Sequence, residues 1–387
     1  MNVLKLVYKN LLRHKLRSLL TILGIAVAVL AFGLLRTVVT AWSYGVEASS
    51  ADRLITRHAV SFIFPLPYSY KSQIEAVPGV TTVSYANWFQ GIYKDQSFEN
   101  FFPRIAVDPE TIFKVYSEYS VPDDQLAAFK KQRNACIVGR KLAEQHGFKI
   151  GDIINVRGDI YPGDWEFVVA GIYVGNDKSA DETQMFFQWD YLNERSRQVA
   201  AWATDHVGWY IIRIANMNDA PAVSEAIDAI YLNSAAKTKT ETEKAFQQSF
   251  VSLSGAIITS LELVSYVIIG IILMVLANTI IMSARERIRE YAVLKTLGFT
   301  SFHVVGLIAG ESLFISMLGG TAGILLAFPV CEGFGAQFPT MFPVFKMAGS
   351  TIAMAAAFSI LVGVIAAVFP AYRSAKMQIV DGLRQIG

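Results

Sequence analysis

Few residues in this chain are arranged to do covalent chemistry. The five histidines (His14, His58, His146, His206, His303) are scattered, with no pair at metal-ligand spacing. Asp205-His206 has the types for a general base and its orienting acid, but no Gly-x-Ser-x-Gly nucleophile turn accompanies it. No Gly-Lys dipeptide occurs, so the sequence has no P-loop cradle for a nucleotide phosphate. Asp123-Asp124 and Asp181-Glu182 read as solvated acidic faces. The patterned residues are those of the run from Arg285 to Phe299. Ile288, Tyr291, Leu294 and Leu297 recur at three-residue steps, with charges concentrated in the first two turns and Gly298 placed to supply a left-handed stop. The chemistry of such a helix is recognition: it lies on a bilayer or fits a partner's groove. Two acids among four bases disfavour the lipid reading, since anionic lipid selects uninterrupted positive charge.

What must position that helix is a membrane. Of 387 residues 53% are hydrophobic and 17% charged, and the mean hydropathy is +0.38. Ordinary soluble domains carry about 25% charged residues, so disordered and nucleic-acid-coating chains are excluded first. Four segments are long and apolar enough to span: residues 18–42, 255–284, 302–331 and 347–370, the last expected to be closed by Pro370. Their only charges are Arg36, Glu262 and Glu311. Basic residues flank particular ends: Lys5, Lys9, Arg13, Lys15 and Arg17 in residues 1–17, four bases in the 285–301 connection, and Arg373, Lys376 and Arg384 in the 371–387 tail. By the positive-inside rule both termini and 285–301 are expected in the cytoplasm, with 43–254 and the short loop 332–346 outside. Trp42, Tyr44, Phe338, Phe342 and Phe345 suit the outer aromatic belt. Gly319 and Gly323 give a Gly-x-x-x-Gly spacing, which serves either a dimer interface or packing within one chain.

The net charge of +2 conceals a split. Residues 43–250 hold 20 Lys and Arg against 26 Asp and Glu, so an acidic block sits within a basic, apolar frame. That block mixes strand-like runs (150–156, 165–174, 209–214) with helix-like stretches (123–132, 138–147, 219–232), and residues 74–80 read as a helix end, a turn and a strand start. In residues 240–257, Phe246, Phe250, Leu253 and Ile257 share one helical face, which predicts a helix running directly into the second span; residues 42–55 are expected to do the same beyond the first. The fold class expected is an α-helical membrane protein with four transmembrane helices and a large mixed α+β extracytoplasmic domain between helices 1 and 2. Cys136 and Cys331 are too few and too distant for a disulfide framework.

Three separated motifs resemble permeases of the FtsX/MacB/LolC type among the ABC transporters. They are the entry to the first span (Asn10-Leu11-Leu12-Arg13-His14-Lys15-Leu16-Arg17-Ser18-Leu19-Leu20-Thr21-Ile22-Leu23-Gly24-Ile25), the segment Glu290-Tyr291-Ala292-Val293-Leu294-Lys295-Thr296-Leu297-Gly298, and the ending Pro370-Ala371 to Leu383-Arg384. The resemblance implies a bacterial inner-membrane permease subunit and no enzyme activity of its own. ATP and Mg would be bound by a separate ATPase present in two copies, with no cofactor in this chain and no nucleic acid as partner. It implies a second permease chain, identical or paralogous, and an outside partner such as a periplasmic adaptor. Arg287, Ile288, Glu290, Tyr291, Leu294, Lys295, Leu297 and Gly298 would couple to the ATPase, while Glu311 resembles an acid the family also places in the third span. Export or extraction of a hydrophobic cargo (lipid, lipoprotein, peptide or drug-like) is the implied function. The alternative is an FtsX-type scaffold that controls an outside hydrolase without moving cargo.

Overall fold

A computed structural model describes residues 15–42, 49–176, 180–337, 342 and 344–376. Lys5, Lys9, Arg13, Tyr44, Phe338 and the Leu383-Arg384 ending lie outside these residues, as do the side chains of Phe250 and Leu253. The chain forms two compact units: a helical one from Met1–Ala41, Ser254–Phe334 and Phe345–Gly387, and a mixed one from Trp42–Leu253 and Gly335–Val344.

In chain order, α1 (Lys15–Trp42) belongs to the first unit and is followed by the elements of the second. These are β1 (Arg53–His58), β2 (Leu66–Pro67), α2 (Tyr70–Glu75), β3 (Val80–Trp88), β4 (Gly91–Tyr93), β5 (Arg104–Val107), β6 (Tyr119–Ser120), α3 (Asp123–Lys131) and β7 (Ala135–Gly139). Then come α4 (Arg140–His146), β8 (Ile153–Gly158), β9 (Gly163–Gly175), β10 (Met185–Gln188), α5 (Trp189–Val199), β11 (His206–Val207), β12 (Trp209–Ile214), α6 (Ala220–Ile230), β13 (Thr238–Thr242) and α7 (Glu243–Leu253). The helical unit resumes with α8 (Gly255–Glu286), α9 (Ile288–Thr296), α10 (Ser301–Gln337) and α11 (Gly349–Lys376).

The mixed unit is built on one sheet of order β13-β1-β12-β3-β5-β10-β7-β9-β8-β4, with β6 beside β9. The β5–β10 and β7–β9 pairs are parallel and the others antiparallel. Both faces are covered, so the central strands are apolar throughout rather than alternating. In β12, Tyr210, Ile212 and Ile214 enter one core with Trp165, Phe167 and Phe187, whereas Trp209 and Ile211 enter the other with Ile55, Ile137 and Phe186. The run 209–214 forms strand β12 as expected, whereas the acidic pair Asp181-Glu182 is not a solvated face. Glu182 is buried, accepts from Arg140 Nη2 at 2.9 Å and from Gly175 N–H at 2.8 Å, and pins α4 to the end of β9.

The helix expected over 240–257 is divided. Residues 238–242 form β13, because their buried face is hydrogen-bonded rather than apolar. Asp228 accepts from Thr238 Oγ1 at 2.8 Å, Thr240 Oγ1 at 2.8 Å and Thr240 N–H at 2.9 Å. Helix α7 begins at Glu243 and stops at Leu253, and Ser254 turns the chain before α8. Residues 53–55 likewise belong to strand β1 rather than to a helical extension of α1, and residues 43–48 lie outside the described set. Arg53 and Glu243 then bind each other in the domain interior, Nη2 to Oε2 at 2.8 Å, with side chains 5% and 8% exposed. Burial works against the charge on Arg53, but Glu243, Tyr116 and Glu118 together raise its pKa and keep it a cation.

In the helical unit four helices among the described residues are long and apolar enough to cross a membrane: α1, α8, α10 and α11. Two ion pairs tie α1 to α8. Arg17 makes a two-pronged contact with Glu286 (2.8 and 2.7 Å), and Arg36 donates to Glu262 at 2.7 Å. Arg17 and Arg36 are 19 residues apart, or about 28 Å along a helix, close to the ~30 Å hydrocarbon thickness of a bilayer. The charges of this helix pair therefore bracket an uncharged span. Two helices outrun their apolar cores: α10 continues to Gln337 through Pro329, and α11 continues through Pro370 to Lys376. The proline expected to close the fourth span instead lies inside the helix and is buried against the bundle. Tertiary packing here outweighs the lost backbone hydrogen bond.

The Gly-x-x-x-Gly spacing is used within one chain. A Cβ on Gly319 would lie 2.7 Å from Ile25 Cβ, and one on Gly323 would lie 2.6 Å from the Ala26 carbonyl oxygen, so α10 meets α1 backbone to backbone. On its other side, Ser312 Oγ donates to the Gly363 carbonyl at 2.7 Å and Ser316 Oγ donates to that of Ser359. Gly323→Ala is expected to destabilise the detergent-solubilised protein by ~1–3 kcal/mol, the cost of overpacking a close contact. Gly270→Ala, whose Cβ meets nothing within 4 Å, should be neutral or mildly stabilising in the same thermal unfolding assay.

Candidate functional site

The patterned segment forms α9, joined to α8 through Arg287 and closed by a tight C-terminal turn. Gly298 adopts φ +90°, its N–H reaches the Lys295 carbonyl (3.1 Å), and Phe299 N–H reaches that of Leu294 (3.0 Å). This is the paired bonding of a glycine-stopped helix. Short and locked at both ends, α9 has one fixed rotation about its axis, and that rotation divides the residues singled out above.

One face turns inward. Tyr291 and Ala292 are buried, and Leu294 packs on the core formed by Ile280, Ala284, Val304 and Ala371. Lys295 Nζ donates to the carbonyls of Ser374 (3.3 Å) and Ala375 (3.0 Å), which places a cation on the last described turn of α11. The other face turns outward: Arg289, Glu290, Val293, Thr296 and Leu297 are exposed, at the spacing of a single helical stripe. Leu297 is 70% exposed and Val293 47%. Val293 is a member of this face that sequence spacing missed. Leu294 and Leu297 are offset by only about 60° around the helix, and the boundary between the inward and outward faces falls between them, which spacing alone does not show.

Beneath α9 lies a buried polar cluster. Arg287 Nη1 bonds Glu311 Oε2 at 3.0 Å, and Ser283 Oγ donates to Glu311 Oε1 at 3.2 Å. The Arg287 and Glu311 side chains are 5% and 10% exposed. Burial first, and then the Glu311 charge, pushes the Tyr291 hydroxyl up to about 12, so it stays protonated in the physiological range. Glu311 accepts from the Ser283 hydroxyl and holds the side chain of Arg287, the residue at the α8–α9 corner. It thereby links three elements, α8, α9 and α10.

The alternative chemistry does not assemble. His206 Nδ1 lies 2.7 Å from the Thr204 carbonyl, and Asp205, at φ +57°, accepts from Asn193 Nδ2 at 2.9 Å, so both residues serve the turn before β11. Cys136 and Cys331 are free and buried.

Between the long helices lies a small apolar gap of about 10 Å³, lined by Ile25, Val29, Phe32, Ile272, Phe358 and Val362 with Ser316 and Ser359. A four-helix membrane unit with its amphipathic connecting helix, and a large mixed domain inserted after the first span, together define the class. The MacB-like periplasmic core domain matches residues 18–230 and the FtsX-like permease C-terminal domain matches residues 262–379. The chain belongs to the ABC transporter permeases of the MacB/FtsX family, membrane proteins with an outside segment. It is similar along nearly its whole length to an uncharacterised ABC transporter permease of Methanocaldococcus jannaschii (24% identical, 99% of this chain and 98% of that one). The permease YvrN of Bacillus subtilis is 24% identical over 98% of each chain. Among solved structures, the periplasmic region of MacB from Actinobacillus actinomycetemcomitans covers 53% of this chain and 95% of its own, at 9% identity and a TM-score of 0.39.

Proposed function

We propose that the chain is the permease subunit of an ABC transporter in the bacterial inner membrane, with both termini and α9 in the cytoplasm and the mixed domain outside. A separate ATPase, in two copies and carrying ATP and Mg, docks on the exposed stripe Glu290, Val293 and Leu297. A second permease chain completes the complex. The observation that carries this reading is the division of α9: one face is offered outward, while the other is fixed to the bundle through Arg287–Glu311 and Lys295. Force applied to such a helix passes to α8, α10 and α11 because none of its inward contacts is free to slide.

Movement of a hydrophobic cargo is favoured over conduction of a polar solute. The in-span charges Arg36, Glu262 and Glu311 are consumed in the Arg36–Glu262 and Arg287–Glu311 pairs, which leaves none of them to line a polar path. The scaffold reading, in which the outside domain works a partner without transport, shares every element up to the outer surface. The test is ATPase activity of the reconstituted complex against lipids, lipopeptides and candidate adaptors. Stimulation by a hydrophobic cargo is expected; stimulation only by an outside protein would favour the scaffold. In right-side-out vesicles a cysteine at Lys149 should react with an impermeant maleimide and one at Leu297 should not; the reverse pattern would overturn the orientation.

A further inference from the structure

One side chain of the helical unit has chemistry that its own chain does not answer. The four spans contain a single carboxamide, Asn278, on α8. It is exposed, whereas Leu276 and Ile280, two residues to either side, are buried in the bundle core. Two residues on a helix are about 200° apart, so Asn278 stands on the side of α8 turned away from α1, α10 and α11.

Its depth is set within the same unit. Glu286, paired with Arg17, lies eight residues along α8 in one direction, and Glu262, paired with Arg36, lies sixteen in the other. Those separations are about 12 and 24 Å of helix. The amide is therefore well inside the uncharged stretch that the two ion pairs bracket.

Neighbouring hydroxyls of α8 satisfy themselves. Ser265 Oγ donates to the Leu261 carbonyl at 2.8 Å and Thr279 Oγ1 to that of Val275 at 2.9 Å, four residues earlier in each case. Asn278 makes no hydrogen bond to any described residue. In hydrocarbon no water takes the missing partner's place, so a polar group on another helix must. A stripe of exposed apolar residues leads up to it: Val267, Ile271, Met274 and Asn278 follow at spacings of 4, 3 and 4, one helical face.

A carboxamide is its own complement, since it carries both a donor and an acceptor. Two copies of one chain thread the bilayer in the same direction. The axis relating them runs along the membrane normal, and like residues meet at equal depth. A lipid tail offers an amide nothing, and a chain of different sequence would need a polar residue at the same level.

We propose that α8 carries the contact between two copies of this chain, with Asn278 of each donating its amide N–H to the side-chain carbonyl of the other and Val267, Ile271 and Met274 packed along the same stripe. This rests on the reading that a second permease chain completes the complex, and adds that the second chain is identical and which face it meets.

Because Cys136 and Cys331 are buried, an introduced cysteine can be crosslinked selectively. The full chain carrying Met274→Cys, one turn from an intact Asn278, is oxidised in its own membranes with a membrane-permeant catalyst. A disulfide-linked dimer is expected, with none from Leu325→Cys on α10 or Val364→Cys on α11, which are also exposed. Asn278→Leu should weaken self-association of the solubilised chain about threefold to thirtyfold, the range of one interhelical hydrogen bond in a membrane. Asn278→Gln, which keeps the amide, should retain it. Dimers through residue 325 or 364 alone would overturn this face while leaving the paired-permease reading intact, and a residue-274 dimer unchanged by Asn278→Leu would overturn the role of the amide. A native complex holding one copy of this chain would overturn the proposal; with a different permease beside it the paired reading survives, and with none that reading falls too.

Discussion

Glu311→Leu is expected to cost the solubilised permease about 3–5 kcal/mol, because it strands the Arg287 cation in a buried site and removes the acceptor of Ser283. Arg287→Met should cost a similar amount for the mirror-image reason. The double variant Arg287→Met/Glu311→Leu should recover most of the loss, since replacing a buried ion pair by apolar groups is commonly neutral or favourable. Unfolding in detergent, read as a double-mutant cycle, measures this directly. A Glu311→Leu protein as stable as the parent would show that the pair is not the joint described. The cycle also separates stability from coupling: the double variant should fold, yet its α9 is no longer tied to α10 by a fixed geometry, so ATP turnover should lose its response to cargo.

The second large effect is expected on the outward face. Leu297→Asp should weaken association with the ATPase by about 2 kcal/mol or more, roughly thirtyfold, the range of an apolar anchor at the centre of an interface. Val293→Asp should behave likewise, and both proteins should remain folded because their side chains are exposed. Leu294→Asp should do something else. Its side chain packs on the bundle core, so the variant is expected to lower the yield of folded permease rather than its affinity. Co-purification with the ATPase across the three variants, normalised to folded protein, distinguishes them.

Much of this was legible in the sequence, and the reasons for the rest are physical. The four spans show because hydrocarbon admits only long uncharged helices. Strand β12 shows because a sheet buried on both faces needs an unbroken apolar run. Strand β13 did not show, since its inward residues are threonines satisfied by Asp228 rather than by packing, and a polar strand has no hydropathy signal. Pro370 was read as a terminator because proline usually is one, while its burial in a bundle is a tertiary fact. Gly319 and Gly323 announced a close helix contact but not its partner, which proved to be α1 of the same chain. In α9 the existence of the helix and its glycine stop were readable. Its rotation was not, because the rotation is set by Arg287 and Lys295 reaching Glu311 and the end of α11, residues distant in sequence.

The central claim is that α9 meets the ATPase with its Glu290–Val293–Leu297 face. It is tested most directly by photo-crosslinking in intact membranes, with a photoreactive residue placed in turn at 291, 292, 293 and 297. A covalent product with the ATPase at 293 and 297, and its absence at 291 and 292, is the predicted result. Crosslinks to lipid alone at 293 and 297, or ATPase products at the inward positions, would contradict it.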